Sequence, residues 1–166
     1  MNRAAAPALR PFLPADTPVL AAIFAAAVEE LTGDAYNEAQ QEAWAAVADD
    51  EDAFGKKLAS ELTLIATVQS APVGFASLKG KDHIDMLYVH PGAAGQGVAS
   101  MLLDALEKLA GSRGAKSLTV DASDNAQGFF AGRGYVAKQR NSVTVNGEWL
   151  ANTTMQKTLS NGGSKP

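Results

Sequence analysis

Cysteine is absent from this chain of 166 residues. That excludes disulfides, thiolate metal sites and a cysteine nucleophile, and it is compatible with a reducing cytoplasm. No apolar run approaches the ~20 residues needed to cross a bilayer, so no membrane partner is expected. The first ten residues hold Ala4-Ala5-Ala6 but are broken by Pro7 and end at Arg10, too short and interrupted for a signal peptide. Positive charge has no excess. The formal net charge is −4 and no basic stripe interrupts it, which argues against nucleic acid as a partner. A P-loop is excluded because no Gly-Lys-Ser/Thr occurs. Internal repeats are also missing. Asp49-Asp50-Glu51-Asp52 has no histidine or fixed ligand spacing beside it, so it reads as a solvated acidic turn and no metal is expected. Asn152-Thr153-Thr154 matches a glycosylation sequon by chance, since nothing secretory accompanies it.

What is present suits a soluble globular protein, with 46% apolar and 19% charged residues. The length fits one domain over residues 1–159, and the polar stretch 160–166 reads as a disordered tail. Ala8 to Leu13 reads as a strand, placed at a sheet edge by Pro11. Asp16 is the expected N-cap of a helix over Thr17 to Thr32, with Val19, Ile23, Phe24, Ala27 and Leu31 on its apolar face. Asn37 and Gln40 form a capping box for a helix over Glu38 to Ala48. Its apolar face would be Ala39, Ala43, Trp44 and Val47, leaving Gln40 and Gln41 to solvent. Phe54 to Ser60 adds a short helix. Leu62 to Val68, Val73 to Lys79 and His83 to Val89 then form an antiparallel meander. A helix follows Gly95, with Val98, Leu102, Ala105, Leu106 and Leu109 as its stripe and Gly111 at its C-cap. Ser117 to Asp121 is a strand, and a short helix runs from Asp124 to Ala131. A hairpin over Tyr135 to Val145 and Trp149 to Leu159 turns at Asn146-Gly147. One crossover, from His83 to Asp121, should make two strands parallel neighbours.

The most informative stretch is Leu87-Tyr88-Val89-His90-Pro91-Gly92-Ala93-Ala94-Gly95-Gln96-Gly97-Val98-Ala99-Ser100. A strand enters a Pro/Gly loop that opens straight into a helix. Such a turn leaves backbone N–H groups free, with the positive end of the helix dipole behind them. That arrangement binds phosphate or pyrophosphate, and small residues let the anion come close. A dinucleotide fingerprint fits poorly: Ser100 stands where the third glycine belongs, and the element order is wrong for a doubly wound sheet.

By element order over nearly the whole chain, and by motif over Ile84 to Tyr135, the sequence resembles the GNAT superfamily of acyl-CoA-dependent N-acetyltransferases. The first motif is Ile84 to Pro91 followed by Gly95-Gln96-Gly97-Val98-Ala99. The second is Ser123-Asp124-Asn125-Ala126-Gln127-Gly128-Phe129-Phe130, closed by Gly134-Tyr135. The resemblance implies an α/β fold of the α+β kind, a mixed, mostly antiparallel sheet with a splayed parallel strand pair, flanked by helices. It implies acetyl-CoA as acyl donor, with Leu87, Tyr88 and Val89 along the pantetheine arm. Ala94, Gly95, Gln96, Gly97, Val98, Ala99 and Ser100 would hold the pyrophosphate. Asn125 and Phe130 would flank the arm's other side. The chain departs from the family pattern at Ala94, usually Gln or Arg, and at Phe130, usually the Tyr that protonates the departing thiolate. Tyr135 falls on a structural position and does not replace it.

A neutral amine attacking a thioester needs proximity above all, and a base only if the amine arrives protonated. Asp85 and His83 are candidate bases on a strand face shared with Leu87, or simply surface residues. Tyr88, on the opposite face, is a hydrogen-bond donor to the thiolate or a packed aromatic. Ser123 is a catalytic candidate or a helix N-cap. By location in such a fold, Tyr36, Glu38, Trp44, Trp149 and Asn152 are candidates for the acceptor pocket, with core packing the competing role for the two tryptophans. The acidic balance points weakly to a cationic acceptor, a small-molecule or peptide amine. The competing functional reading is an acyl-CoA-binding sensor or partner-binding module without efficient transfer, supported by Phe130. Many proteins of this kind form homodimers, and the sequence leaves that open.

Overall fold

A short N-terminal strand, the period-two runs after Leu62 and a closing hairpin build one seven-stranded sheet, in the order β1-β2-β3-β4-β5-β7-β6. The computed structural model describes residues 6–159, so the 160–166 tail lies outside the described residues. The strands are β1 (Ala8–Pro11), β2 (Leu62–Val68), β3 (Ala71–Lys79), β4 (His83–Val89), β5 (Ser117–Ser123), β6 (Val136–Val145) and β7 (Glu148–Thr158). The helices are α1 (Thr17–Leu31), α2 (Glu38–Ala45), α3 (Glu51–Ser60), α4 (Val98–Ser112) and α5 (Gln127–Gly132). The sheet is mixed and mostly antiparallel, with β4 and β5 its parallel pair, as expected. Strand β1 takes an edge, where Pro11 costs no ladder bond.

Two cores lie on the two faces of the sheet. On one, Leu20, Ile23, Phe24 and Val28 of α1 pack with Phe54 and Leu58 of α3 against Ile65, Phe75 and Met86. On the other, Val98, Leu102, Leu103 and Leu106 of α4 pack against Ala76, Leu78, Ile84, Leu118 and Val120. Each such Leu or Phe removed from water contributes about 1.5–3 kcal/mol.

Helix faces differ from expectation in several places. Val19 and Leu31 are exposed while Leu20 and Val28 are buried. Five alanines between Ala21 and Ala27 leave α1 apolar nearly all round, so periodicity sets no unique phase. Helix α2 stops at Ala45 and tightens into a 3-10 turn that leaves Val47 exposed, and Ala39 in its first turn is exposed as well. Gln40 and Gln41 are not left to solvent. Gln40 Nε2 donates to the Trp149 carbonyl at 2.8 Å, and Gln41 Nε2 donates to Thr32 Oγ1 at 3.0 Å. Asp16 does not cap α1; its carboxylate accepts from Arg10 at 2.8 Å and from the Leu13 N–H at 2.8 Å. Gly111 is inside α4, and Gly114, at φ +90°, follows the helix end instead. Ser123 ends β5 and does not cap α5, whose N-cap position is Ala126. The acidic run stays exposed but has a use: Asp50 Oδ1 accepts from the Ala53 N–H at 3.1 Å and starts α3.

A bulge in β4 reverses one expectation. Ser77 pairs with Met86 but Leu78 pairs with Ile84, so Asp85 is the extra residue. The alternation slips there. Asp85 then points with Met86 and Tyr88, opposite Leu87, toward α3, where Lys57 Nζ stands 3.0 Å from its Oδ2. His83 turns to β5 and Thr119 Oγ1, 2.8 Å away.

Tyr36 ties this frame to the later strands. Its hydroxyl donates to the Ala151 carbonyl (2.6 Å) and accepts from the Asp124 N–H (2.9 Å). Glu61, beside Asp85 and Ser77, is the opposite case, a carboxyl with poor company. Burial and then the neighbouring Asp85 push its pKa up to about 7. That lies above its unfolded value, so the site favours the folded state at low pH and loses that advantage as pH rises through about 7.

Two outcomes are expected. Glu61→Gln leaves the melting temperature nearly unchanged near pH 5 and raises it near pH 8, where the wild type carries the buried charge. Equal shifts at both pH values in calorimetry would contradict the assignment. Tyr36→Phe costs about 1–3 kcal/mol in urea unfolding, because two backbone groups lose their partner.

Candidate active site

β4 and β5 pair only at His83–Thr119 and Ile84–Val120. Beyond that point β4 continues to Val89 and β5 to Ser123 without pairing, so the sheet opens into a V. On its other side β4 stays bonded to β3, through Ala76–Leu87, Phe75–Tyr88 and Gly74–Val89. One edge of β4 is therefore rigidly held and the other is free for an extended ligand. Alternation then divides the strand: Leu87 and Val89 line a cavity on the α4 side, and Tyr88 lines one on the α1 and α2 side.

The first cavity, about 620 Å3, is built on the loop before α4. The structure brings there Ala94, Gly95, Gly97, Val98, Ala99, Ser100, Asn125 and Phe130, all expected from the sequence. It adds Leu31, Ala93, Ala126 and Phe129. Leu31 explains itself here: its exposure is to the cavity. A 3-10 turn over Pro91–Ala93 starts the loop, fixed by the Gly92 N–H donating to His90 Nδ1 at 2.9 Å. Gly95 and Gly97 take φ of +79° and +81°, which only glycine adopts freely, and a Cβ on either would stand in open space. Gly97 is the N-cap and has no side chain to offer the first turn of α4. The N–H groups there stay open to an anion. Gln96 does not line the cavity; it is exposed, with Nε2 donating weakly to the Gly92 carbonyl at 3.4 Å.

Phe130 is buried against Phe129 and Tyr135, with ring centroids 5.3 Å apart in both pairs. Tyr135 donates to Glu107 Oε2 at 2.9 Å. Burial and that carboxylate hold its phenol well above the usual range, so it is a fixed structural donor.

The second cavity, about 160 Å3, brings together the acceptor-pocket candidates Tyr36, Trp44 and Asn152 and the catalytic candidates Tyr88 and Ser123. Tyr88 is clamped by Phe24 at 4.7 Å, Phe75 at 5.8 Å and Trp44 at 6.4 Å between ring centroids. Burial pushes its phenol up, so its hydroxyl keeps its proton at neutral pH. Tyr88 belongs to this cavity and not, by its side chain, to the loop cavity.

Several candidates are elsewhere. Asp85 lines neither cavity, because the bulge turns it to Lys57. Glu38 lines neither and sits exposed in the first turn of α2. Trp149 is neither core nor pocket: it is 64% exposed on the hairpin. Sequence reasoning passed over Asp121, which lines the aromatic cavity with Val143, Val145, Leu150 and Ala151. The signal was available: Thr119, Asp121 and Ser123 alternate with Leu118, Val120 and Ala122, which marks a polar strand face.

Among the described residues no helix is long and apolar enough to cross a membrane, and no cluster of three or more metal-ligating side chains occurs.

Residues 32–159 match the acetyltransferase (GNAT) domain family. The chain is 36% identical over 148 residues to the uncharacterized N-acetyltransferase YafP of Escherichia coli strain K12, covering 89% of this chain and 93% of that protein. A crystal structure described as a GCN5-related N-acetyltransferase from Rhodopseudomonas palustris is 67% identical, with a TM-score of 0.92, over 96% of this chain and 99% of that one. The PaiA N-acetyltransferase of Thermoplasma acidophilum, crystallised with coenzyme A, shares the fold at 17% identity and a TM-score of 0.75, over 92% and 99% of the two chains. With the splayed strands and the glycine loop in the places such a fold requires, the chain belongs to the GNAT acetyltransferase family.

Proposed function

We propose that this protein transfers an acetyl group from acetyl-CoA to the amine of a small molecule or peptide, by direct attack within a ternary complex. The observation that carries the reading is the sidedness of β4. Leu87 and Val89 line one cavity and Tyr88 the other, so donor and acceptor can approach one strand from opposite sides. The relative crystallised with coenzyme A, which shares this fold, supports acetyl-CoA as the occupant of the loop cavity.

The roles follow from position. The free edge of β4 pairs with the pantetheine arm as an added strand would. N–H groups from Ala94 to Ala99 take the pyrophosphate, with no side-chain cation in the loop. Asn125 and Phe130 close the far side. A backbone N–H near Leu87 or Tyr88 polarises the thioester carbonyl. Tyr88 and Ser123 line the aromatic cavity with their hydroxyls, and they serve the departing thiolate in place of the tyrosine that Phe130 replaces. Holding both reactants in place supplies several kcal/mol of the acceleration. The absence of cysteine suits a cytoplasmic setting.

Phe130 is also the observation that favours a second reading, an acyl-CoA sensor that binds without efficient transfer. Both readings expect acetyl-CoA to raise the melting temperature, by about 2.7 kcal/mol of stabilisation at a hundredfold excess over Kd. They part on catalysis. The enzyme releases free CoA faster when an amine panel is added; the sensor does not. No thermal shift at millimolar acetyl-CoA would sink both. Gly97→Val should weaken acetyl-CoA binding tenfold or more, about 1.4 kcal/mol, since valine is strained at φ +81° and the loop that opens α4 must shift to relieve it. Unchanged affinity by calorimetric titration would remove the loop from the site.

A further inference from the structure

Asp121 is the sole charged side chain lining the aromatic cavity among the described residues. Its position is set from neighbouring strands. Thr154 Oγ1, on β7, donates to its Oδ1 at 2.6 Å. Asn141 Nδ2, on β6, donates to the same Thr154 oxygen at 2.8 Å, so the one proton of Thr154 is committed to Asp121. His83 Nε2, on β4, stands 3.9 Å from Asp121 Oδ2. Thr119 Oγ1 lies 3.4 Å from the Asp82 carbonyl and 2.8 Å from His83 Nδ1; we assign the Thr119 proton to that carbonyl and the imidazole proton to Nδ1. That assignment leaves Nε2 as the nitrogen able to take a proton from the direction of Asp121. Arg140, which also donates to Thr153 on β7, is paired with Asp124. The other polar groups in the cavity, Tyr36, Tyr88, Ser123 and Asn152, are neutral.

A carboxylate with no Lys or Arg partner among the described residues, at a cavity walled by Tyr36, Trp44 and Tyr88, is suited to a cation. The cavity is small, about 160 Å3, and Val143, Val145 and Leu150 stand in its wall with Asp121, which suits an amine carried on a short apolar stem.

We propose that Asp121 receives the acceptor's ammonium group and takes its proton, with His83 as the next base, and that the acceptor is a primary amine on a short apolar stem. The inference rests on the transferase reading above. The ammonium gives one proton to Asp121, and thence to His83 and solvent. The neutral nitrogen forms the C–N bond as the C–S bond breaks, and its second proton goes to the departing thiolate. The products are the acetamide, CoA thiol and one free proton.

The test uses the full chain and Asp121→Asn, with n-butylamine and a short peptide bearing a free N-terminus as separate acceptors. The accepted one tells a free amine from a chain end. For that acceptor, kcat/KM should fall about a hundredfold or more in Asp121→Asn, while the KM and thermal shift for acetyl-CoA stay within about twofold. Retention of kcat/KM within about threefold overturns the proposal. A binding arm works without turnover. In a Trp149→Phe background, n-butylamine should quench Trp44 fluorescence in the parent and not in Asp121→Asn, while n-butanol affects both alike. Equal quenching by the amine in both overturns the proposal. If the wild type binds acetyl-CoA but acetylates no amine, the transferase reading fails by itself, and the quenching comparison still decides the role of Asp121.

Discussion

Everything at the site depends on β4 and β5 parting after two paired residues. A fully paired sheet would bury the free edge of β4 and merge the two faces into a wall. The gap keeps that edge available, and the period of two then places neighbours Leu87 and Tyr88 in different cavities. The gap stays firm because its two margins are held independently. β4 is bonded to β3 along its closed edge, and β5 is paired with β7 along its whole length. Both helical layers brace it: α4 packs on one face, and Phe24 of α1 presses on Tyr88 from the other.

Polarity is distributed unevenly across this frame. The loop cavity relies on backbone, with glycines at positive φ and an uncapped helix start, so small residues such as Ala94 suffice there. The aromatic cavity relies on side chains, and hydrogen bonds within the protein fix their directions. Tyr36 lines it but spends its hydroxyl on Ala151 and Asp124, so it shapes the wall and offers little chemistry. The carboxyl pair Glu61 and Asp85 lies outside both cavities and belongs to the packing of α3 on the sheet.

The order of elements, the parallel crossover and the phosphate-type loop were legible in the sequence because each is local. Strand β2, strand β4 and the Asn37–Gln40 capping box match their expected positions. The phase of α1 was not legible, since an alanine-rich helix offers no contrast between its sides. The face of Asp85 was not legible either: a bulge is a property of two strands, and only the pairing of Ser77 with Met86 and Leu78 with Ile84 exposes it. Trp149 was placed by its position in the last hairpin, and the sequence does not show where that hairpin ends relative to the rest of the sheet. Asp121 was missed for a different reason. It lies outside the strand and loop that carry the phosphate-type motif, and only the polar alternation along β5 points to it.

The central claim is that donor and acceptor occupy two cavities on opposite sides of one strand at the same time. Initial rates of CoA release, with acetyl-CoA and an accepted amine varied together, test it most directly. Simultaneous occupancy predicts double-reciprocal lines that intersect. Parallel lines, the pattern of an acetylated enzyme intermediate formed before the amine binds, would contradict the account.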